Sequence, residues 1–141
     1  MQKVLVAGLA LAVLMPARAG VAQQDVLQSV MGQLCMGILQ NTGTRIFFQP
    51  IEDGGSVSVN VWIELPHGPS EQWPEPSPSD FRGRWRVTHA PFGQVAFVAS
   101  SGETYTMAVG RDQLVGFSRD GEGHYAKLMM KCRPTKVKPP A

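Results

Sequence analysis

Apolar positions recur along this chain with two different periods. Within residues 24–40, Val26, Val30, Leu34 and Ile38 follow one another at steps of four, and Leu27, Met31 and Cys35 form the adjacent row. That spacing predicts an amphipathic helix with one apolar stripe. Asp25 suits the positive end of its dipole, and Asn41-Thr42-Gly43 reads as its stop signal. Gly32 and Gly37 each lower the intrinsic propensity by up to ~1 kcal/mol, so packing has to hold this helix. Cys35 sits at the edge of the apolar stripe.

From Arg45 onward the period drops to two. Residues 45–49 are a short strand candidate whose pairing Pro50 limits, and Asp53-Gly54-Gly55 is a turn. Val57, Val59, Val61 and Ile63 then alternate with Ser58, Asn60, Trp62 and Glu64, the cleanest half-buried strand in the chain. Residues 81–131 read as a meander, with strand candidates at 84–89, 94–99, 103–109, 113–118 and 123–131. Each connection holds a glycine and most hold Asp, Ser or Pro, as short hairpin loops do. In the last strand Ala126, Leu128, Met130 and Cys132 share the apolar face. Between these regions, residues 65–80 carry prolines at 66, 69, 74, 76 and 78. That density blocks helix and ladder hydrogen bonds and predicts a long loop of polyproline character.

The element order predicts an α+β fold. An N-terminal amphipathic helix packs on a strongly bent antiparallel sheet, or partial barrel, of five to seven strands. Bending is expected because an open sheet of that size leaves two unpaired edges.

Composition adds a compartment. The chain has 141 residues, 43% hydrophobic and only 17% charged, which argues against a charged disordered chain or a coiled coil. Residues 1–19 read as a secretory signal: Lys3, an uncharged run from Val4 to Met15, Pro16, then Ala17-Arg18-Ala19 as a cleavage site, with a second candidate after residue 22. The run is shorter than the ~20 residues of a membrane-spanning helix, and no later stretch could span a bilayer. The expected domain is 23–133, with residues 134–141 a flexible tail. Without the signal, Lys3 and Arg18 are lost and the formal charge of +2 falls to zero. No basic stripe for nucleic acid is visible. A periplasmic or secreted location follows.

In that setting Cys35 and Cys132 read as one disulfide. They enclose most of the chain, and closing so long a loop is worth about 4–5 kcal/mol in the chain-entropy model. The helix and the last strand each turn their cysteine toward the core, so the bridge would tie the helix to the sheet.

No motif of known mechanism appears: no G-x-G-x-x-G, Walker loop, H-E-x-x-H, G-x-S-x-G or EF-hand loop. His67, His89 and His124 are scattered, Asp120-Gly121-Glu122-Gly123 reads as a hairpin tip rather than a calcium loop, and no cofactor, metal or catalytic residue is expected. Phe81-Arg82-Gly83-Arg84-Trp85 resembles the G-x-W opening of calycin-type barrels, which include lipocalins and small secreted inhibitors of bacterial metalloproteases. That resemblance implies a barrel, with Arg133 as the arginine packing on the tryptophan; a preceding helix and cysteines linking the two ends depart from the pattern. Trp73 in the proline-rich loop and Trp62 on the polar side of its strand are candidate recognition residues. The function expected is a non-enzymatic exported domain that binds another exported or envelope protein, as an inhibitor, immunity or accessory protein. The alternative is a carrier of a small apolar ligand in a calycin-like barrel.

Overall fold

The period-two alternation continues through eight strands and closes on itself. The computed structural model describes residues 23–39, 42–64 and 75–140. Residues 1–22, with the expected signal and cleavage positions, lie outside the described residues, as do 65–74, with Trp73 and most of the proline-rich loop. The strands are β1 (Leu34–Ile38), β2 (Arg45–Asp53), β3 (Ser56–Glu64), β4 (Phe81–His89), β5 (Val95–Val98), β6 (Thr104–Val109), β7 (Gln113–Arg119) and β8 (Tyr125–Arg133). Each pairs antiparallel with its chain neighbour, and β8 pairs back on β1 to make a closed barrel. Closure removes both sheet edges.

The predicted helix over 24–40 is not present. Only a turn of α-helix, α1 (Gln23–Val26), and a 3₁₀ turn (Gln28–Val30) form, and the rest of the segment becomes β1. The strand count is therefore eight rather than five to seven. The segment is ambiguous because nearly every residue from Leu34 to Leu39 is apolar or glycine, so the period is weak there. Two local constraints decide it. Gly32 takes φ +78°, outside the helical region, and Gly37 faces β8 so closely that a Cβ would meet the Met129 carbonyl oxygen at 2.7 Å. The helical turns instead plug one end of the barrel. Leu27 and Val30 are fully buried in the core, and Ser29 Oγ donates to the Gly110 carbonyl oxygen at 2.6 Å across that end.

Other boundaries moved less. β2 runs through Pro50 to Asp53, paired with β3 throughout; Pro50 lies beyond the part of β2 that pairs with β1, and its carbonyl accepts from Gly32 N at 2.7 Å. β4 begins at Phe81, three residues early, with a register shift between Val61 and Trp62 on its partner strand.

Side chains fill the barrel centre, as the diameter of an eight-stranded barrel allows. Phe48 stands amid Phe97 (4.9 Å between centroids), Tyr105 (5.1 Å) and Trp85 (6.1 Å). Those rings come from four different strands. Tyr105 donates its phenol proton to Glu103 Oε2 at 2.9 Å. Burial first, then the Glu103 carboxylate, push that phenol well above its ordinary range, so it stays neutral.

Cys35 and Cys132 are bonded, 97 residues apart in the chain. They are register partners on β1 and β8, so the bridge crosses the closing seam of the sheet rather than joining a helix to it.

Outside the barrel, β1–β4 carry a layered outer face. Arg45 pairs with Glu64 at 2.9 Å, both buried, and Arg45 Nε has no hydrogen-bond partner among the described residues. Next comes an apolar row, Met36, Phe47, Trp62 and Phe81, each in register with the next. Below it, Gln49 Nε2 donates to the Val137 carbonyl, Asn60 Nδ2 to Gln49 Oε1, and Arg84 to Asn60 and Asp53. Residues following β8, read from the sequence as a flexible tail, thus return along this face, with Val137 packed on Leu34, Phe47 and Trp62.

Two measurements check this architecture. Cys132→Ser, or reduction, should lower the melting temperature by an amount equivalent to about 2–5 kcal/mol. Gly116→Ala should destabilise by about 1–3 kcal/mol or more, because a Cβ there would overlap the Thr106 carbonyl of β6; a chemical-denaturation curve reads it directly.

Candidate functional site

The wall is closed and side chains pack the centre, and three places on the outer surface stand out: a hairpin tip, a groove and a polar turn.

The tip is the β4–β5 connection, Pro91-Phe92-Gly93. Ala90 N donates to the Gln94 carbonyl oxygen at 3.0 Å and Gln94 N to that of Pro91 at 3.3 Å, which closes the turn. Phe92 sits at its apex with φ 62° and ψ 34°, the left-handed region, and its side chain is 98% exposed. Among the described residues no other non-glycine has a positive φ. A bulky side chain in that conformation costs of order 1–3 kcal/mol, and its exposure leaves apolar surface in water. Sequence reasoning passed over Phe92 by reading the four-residue connection only as a loop. The available signal was an aromatic where turns favour Gly, Asn or Asp.

The groove lies across the outward face of β7, β8 and β1. It is an open depression of about 940 Å³ lined by Met36, Ile38, Val115, Phe117, Lys127 and Met129, over the backbone of Gly37 and Gly116. Met129 is 62% exposed and nearby Tyr125 63%. Tyr125 stacks at a tilt on Phe117 and lies beneath Arg119. The alternation of β8 already put Tyr125, Lys127, Met129 and Lys131 on one side. What it could not show is that the strands beside β8 would add Met36, Ile38 and Val115 to them.

The polar turn joins β7 to β8. Asp120 Oδ1 accepts hydrogen bonds from the backbone N–H groups of Glu122 and His124, both at 2.9 Å, and Oδ2 lies 3.1 Å from His124 Nδ1. Asp120, Glu122 and His124 could together offer ligand atoms to a cation, but all three are exposed and their hydrogen bonds are those of a tight turn. These bonds, that from His124 N first, hold the Asp120 carboxyl below its usual range.

Of the sequence candidates, Trp62 does stand on the outward side of β3, but it is 1% exposed beneath Val137 and Phe81, so it is no surface residue. Trp73 and His67 lie outside the described residues. Trp85, from the calycin-like stretch, is midway along β4 and joins the central ring cluster. Arg133 ends β8, four strands from β4 in either direction, and is exposed. His89 is exposed at the end of β4.

Together these features define a small disulfide-bonded β-barrel, an architecture compatible with a secreted or carrier-like domain. The disulfide fits an extracellular or periplasmic location. Among the described residues no helix is long and apolar enough to cross a membrane. No family model matches the chain, and no curated protein and no solved structure matches it, so no family or relative points to an enzyme.

Because Asp120 is shifted downward, folding favours its ionised form. That preference is present above 3.8 and is lost as the pH falls through the lowered value. A carboxyl NMR titration should place its midpoint below 3.8, with the amide signals of Glu122 and His124 moving at the same midpoint.

Proposed function

We propose that this chain is an exported, non-catalytic domain that acts by binding another exported or envelope protein, with the β4–β5 tip as its contact. The observation that carries the reading is Phe92. A fully projecting ring, held in a strained conformation by Pro91 and Gly93, is a cost to the isolated domain and suits insertion into a pocket on a folded partner. Because the tip is already ordered, docking it immobilises little. The signal-like N-terminus and the disulfide support an oxidising compartment, where an inhibitor, immunity or accessory protein would meet such a partner. Carriage of an apolar molecule inside the barrel, the alternative expected from the calycin resemblance, has less support, because Phe48, Trp85, Phe97 and Tyr105 occupy the centre.

The test separates binding from stability. Phe92→Gly should leave the melting temperature unchanged or raise it, by up to the equivalent of about 1–2 kcal/mol as the left-handed strain is relieved. A photo-crosslinking residue at position 92 should join the protein to one discrete envelope or secreted protein. Unlabelled wild type should compete for that adduct and Phe92→Gly should not. A strongly destabilised Phe92→Gly, or equal competition by it, would make the tip a structural turn and remove the reading.

A further inference from the structure

A second surface, on a different side of the barrel from the tip, carries an inference that does not depend on Phe92. The open outer groove of β7, β8 and β1 has a volume of about 940 Å³, within the roughly 300–1,000 Å³ of small-molecule sites. Apart from Lys127 its side-chain walls are apolar, and two of them, Met36 and Met129, are unbranched and adapt to an irregular apolar guest.

The charge on this face has one sign. Lys127 lines the groove, and Arg119 and Lys131 occupy outward positions of the same two strands. No outward position of β6, β7, β8 or β1 carries an acid. Neither Arg119, Lys127 nor Lys131 forms an ion pair with a described residue. On the other outer face Val137 packs on Phe47 and Trp62, and Arg45 and Arg84 are matched by Glu64 and Asp53, while the exposed Arg86 has no ion pair with a described residue. On the groove side, among the described residues, nothing covers Ile38, Val115 and Met129, and Lys127 and Lys131 have no ion pair.

Those two needs specify one occupant. A second copy of this chain would bring the same cations against themselves. A polypeptide strand has no free edge to join in a closed barrel. We propose that the groove binds a free, single-chain anionic amphiphile of the alkyl-carboxylate class, its chain against Met36, Ile38, Val115 and Met129 and its head group paired with Lys127.

The experiment uses the oxidised protein labelled with ¹³C at its methionine methyl groups, titrated with dodecanoate below its micelle concentration. The methyl signals of Met36 and Met129 should shift saturably, while that of the core residue Met107 stays in place. Dodecyltrimethylammonium, with the same chain and the opposite charge, should bind at least about tenfold more weakly. Lys127→Glu should weaken dodecanoate by a similar factor and narrow the difference between the two probes, with an unchanged melting temperature because the residue is exposed. Val115→Asp should weaken both probes. Equal affinity for the two head groups would overturn the proposal, as would unchanged dodecanoate binding in Lys127→Glu. Methyl shifts that follow protein concentration, with a dimer in sedimentation, would assign the face to a second copy instead. Binding only to vesicles of anionic phospholipid, and not to free dodecanoate, would assign it to a membrane surface, and either result overturns the free-ligand assignment.

Discussion

The pairing of β1 with β8 is the constraint on which the rest of this structure depends. A meander of seven strands would leave two open edges, each a row of unpaired N–H and C=O groups. Drawing residues 34–38 into the wall as an eighth strand satisfies both edges at once. The disulfide lies on that seam, between directly opposed residues, and therefore ties the first strand to the last. Gly37 lets β1 approach β8 where a side chain would strike backbone. Once closed, the barrel has a centre that side chains fill, and the short helical turns before β1 are left to cover an end rather than a face.

Closure also divides the exterior. On β1–β4 the polar groups answer one another in rows: an ion pair, an apolar ladder, then a hydrogen-bonded chain from Val137 through Gln49 and Asn60 to Arg84 and Asp53. The residues after β8 complete that face by covering Trp62 and Phe47. Around the groove of β7, β8 and β1, Ile38, Val115, Lys127 and Met129 have no such cover among the described residues. The β4–β5 tip adds a projecting aromatic at one end. A surface divided in this way concentrates the opportunities for recognition at a few places on an otherwise self-satisfied domain. It also separates the residues that hold the barrel together from those proposed to bind, so the two can be altered independently.

The candidate recognition residues were less legible than the structural ones. Of the two tryptophans singled out from the sequence, Trp62 is buried and Trp73 lies outside the described residues. Trp62 was assigned to the right side of its strand, but which outward positions are covered depends on where a distant segment, Val137, comes to rest. Phe92 looks like an ordinary loop residue until its backbone conformation is known. The groove has contributions from β1, β7 and β8, and no local window contains all three.

What the sequence determined by itself is what short-range periodicity and chemistry can carry. The alternation of β3 and β8, the glycine-bearing hairpins and the pairing of Cys35 with Cys132 were all readable, because each depends on neighbouring residues or on the count of cysteines. What only the tertiary structure decided is the identity of residues 34–38 and everything that follows from closure. In that run the apolar positions suit a helix or a strand, and local propensity differs by no more than a kilocalorie or so per residue. Two complete ladders of backbone hydrogen bonds, one to β2 and one to β8, outweigh that difference, and they exist only after the far end of the chain has come back to meet the near one.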